Sequence, residues 1–308
     1  MSARRSDSGL DGILLIDKPA GWTSHDVVAK ARGITGQRRI GHTGTLDPMA
    51  TGLLVLCLGQ ATRLVEYLTG HDKRYTGVVQ LGRTTTTDDA EGNAIQERPV
   101  PEVTQAALAA VVARFRGAIS QRPPAFSALK VQGKRAYDLA RAGEDVQLAE
   151  RAVTIHRFNA ELLAADTVAV DVTCSSGTYI RSLARDIGEA IGCGGHLAAL
   201  RRESVGPFSV VDAISLDALA QVLAARELDT RLVPADEGIS ELDAAILGQE
   251  GTLAMVQGRP WECAVGAPSA ANPARIYSAA GDFIGVGSIS NLGEIRASKV
   301  LLRQKSPN

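Results

Sequence analysis

Four cysteines in 308 residues are too few and too scattered to define a framework. They stand at 57, 174, 193 and 263, and no two share Cys-x-x-Cys spacing. The five histidines, at 25, 42, 71, 156 and 196, show no ligand spacing either. No zinc site is expected, and Cys57 and Cys174, in apolar or strand-like surroundings, read as buried, reduced thiols. No apolar run reaches membrane-spanning length. The first residues, Met1-Ser2-Ala3-Arg4-Arg5, lead into no apolar h-region. A dinucleotide fingerprint and a phosphate-binding P-loop are also absent. These absences lead to the expectation of a soluble, cytoplasmic protein without metal or cofactor and without a membrane partner.

Net charge is equally unassertive at −1, but it is unevenly distributed. Arg114, Arg116, Arg122, Lys130, Lys134, Arg135 and Arg141 face only Asp138 between 113 and 141. From 212 to 250, nine acids (Asp212, Asp217, Glu227, Asp229, Asp236, Glu237, Glu241, Asp243 and Glu250) stand against Arg226 and Arg231. A polyanion would meet the first region and avoid the second. A solvated helix face would produce the same basic run.

Hydrophobic residues make up 45% of the chain, enough for a substantial core. Residues 12–17 read as a buried strand. Thr23-Ser24 with Asp26 signals a helix start, with Gly33 as its stop. A helix is expected over 60–70, a strand over 75–82 and a helix from Thr104 through Phe115. Residues 118–150, with Pro123-Pro124 and a short helix near 136–142, look like an excursion from the core. Strands in a hairpin fill 153–173, and helices follow over 178–192 and from Ser215 to 228. After about 249 the texture changes to short strands and turns, with Leu253, Met255, Ile276, Tyr277, Phe283, Ile284, Val286 and Ile289 as a small β core. Strands interspersed with helices, without regular βαβ alternation, predict an α+β fold. The expected division is a main domain over 10–228, an acidic linker over 229–248 and a small β-rich domain over 249–304. Nothing suggests a coiled coil, and a monomer is expected.

The most informative segment is Gly41-His42-Thr43-Gly44-Thr45-Leu46-Asp47-Pro48-Met49-Ala50-Thr51-Gly52. One carboxylate, Asp47, is held between glycines and a proline that pushes it out of the α region. The run Leu53-Leu54-Val55-Leu56-Cys57-Leu58 anchors it. A rigid carboxylate on a buried foundation is how a nucleophile or general base is presented. Asp-Pro is also a common turn starter. Three further blocks accompany it: Lys73-Arg74-Tyr75 leading into Thr76–Gly82, Cys174-Ser175-Ser176-Gly177-Thr178-Tyr179-Ile180-Arg181, and Gly194-Gly195-His196-Leu197-Ala198-Ala199-Leu200-Arg201-Arg202.

Together, in this order and spacing, the four blocks resemble the TruB family of tRNA pseudouridine synthases. The lead-in Gly12–Gly21 resembles the family's opening strand. The likeness covers roughly 10–212 well. It implies a pseudouridine-synthase-like mixed sheet with flanking helices, a small C-terminal PUA-like RNA-binding domain, and isomerisation of uridine 55 in the tRNA T-loop. The base would be extruded, its glycosidic bond broken and C5 rejoined to C1′. Asp47 would be the nucleophile, already ionised at neutral pH. Arg181, near the start of its helix and reaching out of the packed body, would pair with it as a partly exposed fork. Tyr75 would stack on the uracil and relay a proton late in the reaction. Tyr179 and Leu200 would line the base pocket, and His42 would fill the space the base leaves. Lys18 and Arg202 would meet phosphates, and the 118–141 excursion would clamp RNA. Attack at C6, attack at C1′ and proton abstraction all use one carboxylate. Three other readings stand beside this one. They are a guide-RNA-dependent synthase of the Cbf5/dyskerin group, a non-catalytic tRNA-binding or folding protein, and an α+β hydrolase using Asp47.

Overall fold

The apolar run after Asp47 becomes a strand buried on both faces. The computed structural model describes residues 8–127, 129–131, 134–141, 148–262 and 270–301. Its main sheet contains β1 (Gly12–Lys18), β2 (Ile40–His42), β3 (Thr51–Leu58), β4 (Lys73–Leu81), β5 (Gly117–Gln121), β6 (Arg151–Ala164), β7 (Thr167–Cys174) and β8 (Gly195–Val205). The spatial order is β1-β3-β8-β4-β7-β6-β5, with β2 also paired to β3. β3 and β8 run parallel; the other pairs are antiparallel. In β3, Leu53, Val55 and Cys57 pack with Ile13, Leu64, Leu68 and Phe208. Leu54, Leu56 and Leu58 face the other way onto Val27, Val28, Leu216 and Leu219. Covering both faces explains why the segment shows no alternation. Each such side chain contributes about 1.5–3 kcal/mol on full burial. β7 has only one covered face and alternates accordingly, with Val168, Val170 and Val172 inward.

Among the described residues, five helices of eight residues or more complete the fold: α1 (Ser24–Thr35), α2 (Gln105–Ala113), α3 (Ile180–Ile191), α4 (Leu216–Ala224) and α5 (Gln249–Val256); the short helix expected near 136–142 is present as Ala136–Arg141. α1 starts as expected at the Thr23 capping box, closed by Asp26. It runs through Gly33, the expected stop, and ends at Gly36. There φ is +68°, and the cap N–H donates to the Arg32 carbonyl. Gly33 fits inside a helix; the left-handed turn that ends one is reached three residues later. α2 is capped by Thr104 but ends before Phe115, because β5 already begins at Gly117. β5 pairs with β6, so residues 118–121 belong to the sheet and the excursion begins at 122. The expected helix over 60–70 divides into a 3-10 turn (Gly59–Leu64) and a short α segment (Val65–Thr69). The helix from Ser215 stops at Ala224, short of 228.

A second sheet holds β9 (Ala244–Leu247), β10 (Trp261–Glu262), β11 (Ala271–Ser278), β12 (Phe283–Ile289) and β13 (Glu294–Val300), in the order β9-β11-β12-β13-β10. β9 comes before the textural change at 249, and the first stretch after it is the helix α5 rather than a strand. Met255 is buried there as expected, whereas Leu253 is on the exposed side. The small sheet is docked on the large one. Val286 and Phe283 join the cluster of Ile13 and Leu53, and Lys299 Nζ lies 2.9 Å from Glu66. No helix among the described residues is long and apolar enough to cross a membrane.

Gly52 is the tightest point of the central crossing. Its φ is +98°, and a Cβ there would lie 2.3 Å from the Arg202 carbonyl oxygen of the parallel strand β8. Gly52→Ala should therefore cost more than about 2 kcal/mol, combining backbone strain with a backbone clash that cannot rotate away. A thermal melt within a degree or two of wild type would show that β3 and β8 part easily.

Candidate active site

Asp47 sits in the turn that feeds β3, and the backbone around it is tied down at nearly every residue. Lys18 Nζ donates to the carbonyls of Pro19 (2.9 Å), Trp22 (2.7 Å) and Pro48 (3.2 Å). Arg202 donates to the carbonyls of Leu53 (2.7 Å), Gly44 (3.1 Å) and Thr45 (3.4 Å). Ser24 Oγ, at the start of α1, accepts from the Leu46 N–H at 2.8 Å. The Gly21 N–H donates to the Pro48 carbonyl at 2.8 Å. Loops are normally soft; this one has the rigidity that precise presentation of a reacting group needs.

These bonds correct one expectation. Lys18 and Arg202, expected at phosphates, are 0% and 1% exposed, with their head groups turned to backbone carbonyls. Neither side chain is at the surface, and their role is to shape the loop. Burial pushes the Lys18 ammonium down to about 8, against the pull of Asp47. Lys73 behaves alike: it is buried, lowered to about 8 by burial, and donates to the carbonyls of Thr69 and His71.

Arg181 is brought to Asp47 as expected, and as a fork. Nε lies 2.9 Å from Asp47 Oδ2 and Nη2 lies 3.2 Å from Oδ1. The expected exposure is wrong. Although Arg181 occupies the first turn of α3, its side chain is only 7% exposed. Nη1 donates to the Thr87 carbonyl at 2.9 Å, and Nη2 to the Phe126 carbonyl at 3.0 Å. Asp89 Oδ2 stands 3.5 Å from Nη1, with its side chain 4% exposed. The Asp47 side chain keeps 34% of its surface open. Burial pushes its carboxyl above the ordinary carboxylate range. Arg181 opposes the rise, Asp89 adds to it, and Lys18 opposes it.

Of the expected pocket residues, Tyr75, Leu200 and Tyr179 lie near this pair. Tyr75 on β4 and Leu200 on β8 are both buried, in one cluster with Leu46 and Ala50 from the Asp47 loop. Burial raises the Tyr75 phenol, so it stays protonated at neutral pH. Tyr179 is the N-cap of α3 and is half-buried. His42 meets His25 edge-on, with ring centroids 5.6 Å apart. Burial lowers its imidazole, which favours a neutral, flat side chain.

Sequence reasoning missed Asp89, which lies in the polar run Thr84–Asn93. Asp88, next to it, takes φ +60° and pairs with Arg185 at 2.8 Å. Two adjacent acids in a threonine-rich segment between short strands were the available signal. It missed Gln121 as well, a buried side chain at the end of β5.

The structure thus places a forked aspartate beside a hydrophobic cluster that contains Tyr75 and Leu200, on an α+β scaffold. Comparison with known proteins assigns the family. Residues 32–180 match the TruB family pseudouridylate synthase N-terminal domain. Residues 181–250 match the tRNA pseudouridylate synthase B C-terminal domain, and 244–301 the pseudouridine synthase II TruB C-terminal module. The chain is 46% identical over 286 residues to tRNA pseudouridine synthase B of Arthrobacter sp. (strain FB24), covering 89% of this chain and 92% of that one. It is 43% identical over 303 residues to the Pseudomonas fluorescens (strain Pf0-1) protein of that name, covering 97% and 98%. Among solved structures, a Cbf5-Nop10-Gar1 complex matches with a TM-score of 0.73 at 24% identity, covering 95% of this chain and 85% of that one. That likeness shows the shared fold. The chain belongs to the TruB family of pseudouridine synthases.

The buried environment of Arg181 sets the expected outcome of Arg181→Lys. Lysine keeps the charge but leaves the Thr87 or Phe126 carbonyl without its donor, at about 1–3 kcal/mol. The melting temperature should fall by roughly 2–12 °C, at about 2–4 °C per kcal/mol for a large single domain. An unchanged melting temperature in calorimetry would mean that lysine satisfies every acceptor. Lys18→Met should also destabilise, since three carbonyls are then left without their shared donor.

Proposed function

We propose that the protein converts uridine to pseudouridine in tRNA, at position 55 of the T-loop, with Asp47 as nucleophile. The observation that carries this reading is the two-point Arg181–Asp47 contact beside a hydrophobic cluster that holds Tyr75 and Leu200. It is supported by relatives that bear the name tRNA pseudouridine synthase B and are aligned over nearly the whole chain. A guide-RNA-dependent role has only the 24% likeness of fold behind it.

The reaction breaks the bond between C1′ and N1 of the uridine and makes one between C1′ and C5. N1 gains a proton and C5 loses one, so no electrons and no group donor are required. An ionised carboxylate is available for attack without a separate base. The guanidinium aims it and favours its charged form. Tyr75, protonated and buried in the cluster beside the Asp47 loop, suits stacking and late proton relay better than service as a ready-made base. Extruding the base costs a few kcal/mol, and the flat His42 would offset part of that by occupying the vacated space. Recognition of the T-arm by shape and backbone, aided by the basic insertion and the C-terminal β-rich domain, fits the usual mode for folded RNA.

Asp47→Asn should abolish pseudouridine formation on an unmodified tRNA transcript while leaving tRNA affinity within a few-fold. Substantial single-turnover activity in that variant would remove Asp47 as nucleophile. The pH profile follows from the raised carboxyl of Asp47. As pH falls, a raised pKa is crossed earlier, so the acid limb of kcat/KM should lie above that of a free aspartate, about 3.9. A limb at or below that value would show that Arg181 outweighs burial. In the insertion, replacing Lys130, Lys134 and Arg135 together by alanine should weaken binding. It should also flatten the dependence of log K on log salt by about 0.7–0.9 for each phosphate that is no longer neutralised. An unchanged slope would return those charges to a solvated face.

A further inference from the structure

Gln121 is 1% exposed, and both ends of its amide are engaged at one place. Its Oε1 accepts from the Tyr179 N–H at 2.8 Å, and its Nε2 donates to the Tyr179 carbonyl at 3.0 Å. Tyr179 is the N-cap of α3, and its own side chain caps nothing. Two residues on, Arg181 holds the nucleophile. The neighbouring backbone reinforces the tie. The Arg122 carbonyl accepts from Ser182 Oγ at 2.9 Å and from Arg185 Nη2 at 3.0 Å. The segment 121–126 thus wraps the first turn of α3, and Gln121 is its one side-chain fastening to the N-cap backbone.

We propose that Gln121 is a positioning residue for this reaction: it fixes the start of α3 so that the Arg181 fork meets Asp47 in register. The inference rests on the reading of Asp47 as the nucleophile. An N-cap backbone normally draws its order from its own side chain or from solvent. Here a glutamine from the end of β5 supplies both a donor and an acceptor to one residue. Without it, the first turn of α3 is free to shift by a fraction of an ångström. The guanidinium has two directional bonds to Asp47, and such a shift lengthens at least one. Asp47 then loses part of the partner that favours its charged form, while burial, which disfavours that form, remains.

Gln121→Met removes both bonds at nearly constant volume. In single-turnover assays on an unmodified tRNA transcript, the rate should fall about tenfold or more, in line with the sensitivity of such reactions to small misplacements. The dissociation constant for tRNA should stay within about twofold, an effect too small to account for the fall in rate. The acid limb of the rate should move to higher pH. Val153→Ala serves as the control, since Val153 is a buried residue of β6 opposite Ile119 of β5 and has no bond to α3. It should lower the melting temperature without moving the acid limb. Gln121→Glu, which keeps the acceptor for the Tyr179 N–H and lacks the donor, should fall between wild type and Gln121→Met, and it tests the idea should Gln121→Met not fold. An unmoved acid limb with a near-wild-type rate in either Gln121 variant overturns the proposal, as does an equal acid-limb shift in Val153→Ala. Asp47→Asn, run in parallel, keeps the two readings separate. If it retains activity, the nucleophile assignment fails; if it is inactive while the Gln121 variants are normal, only the positioning role fails.

Discussion

One buried guanidinium organises this active site. Arg181 has five N–H donors in a plane, and they meet Asp47, the Thr87 carbonyl and the Phe126 carbonyl, with Asp89 nearby. Three loops that are far apart in sequence therefore converge on one side chain at the start of α3. A buried charge is tolerated only when paired and hydrogen-bonded, so none of these loops can leave without exposing the cation to an unfavourable environment. The pairing is also unequal in charge. Two carboxylates, Asp47 and Asp89, face one guanidinium. The excess negative charge adds to burial in raising Asp47, and the carboxylate that results is fixed in direction and less stabilised than a solvated one.

A second set of cations works from behind. Lys18 and Arg202 hold the Asp47 loop through carbonyl oxygens rather than carboxylates. A carbonyl cage satisfies an ammonium's donors without cancelling its charge. That is an unfavourable arrangement for the ammonium, and burial duly brings Lys18 down to about 8. In return, the positive charge behind the loop stays available to Asp47, whose ionised form Lys18 favours. Front and rear contacts thus do different things: Arg181 sets the direction of the carboxylate, and the rear pair sets the path of the backbone that carries it.

The sequence made local features legible and hid those that depend on distant partners. Thr23 and Thr104 cap helices because capping needs only residues three positions apart. The β3 run was readable because a strand covered on both faces is apolar at every position. The pairing of Asp47 with Arg181 was legible because both lie in dense, unusual blocks. Lys18 and Arg202 were misread because nothing in the residues beside a lysine or arginine records whether its head group ends in water or among the carbonyls of a distant loop. Asp89 and Gln121 were missed for the opposite reason. A polar residue in a polar stretch reads as solvent-facing, and only the fold shows that both are enclosed. Gly33 was taken for a helix stop, but the left-handed residue that ends this helix is Gly36.

The same reasoning changes what the charge count says about RNA. The chain's 33 lysines and arginines are not equivalent as contacts for a polyanion. Lys18, Lys73, Arg181 and Arg202 are enclosed. Arg116, inside the basic run, directs both Nε and Nη2 at the Phe158 carbonyl, at 3.1 and 2.7 Å. Arg74, in the motif before Tyr75, is forked to Asp171, and Arg201 is forked to Asp17. Cations already satisfied in this way offer a phosphate little unless a bond is first broken, which shifts the electrostatic burden to the others. A protein of net charge −1 binding a polyanion must segregate its free charges, and here the site's own architecture enforces part of that segregation. The cations nearest Asp47 hold the loops in place, so on the proposed reading attraction for an RNA backbone would come from charges farther out rather than from the centre.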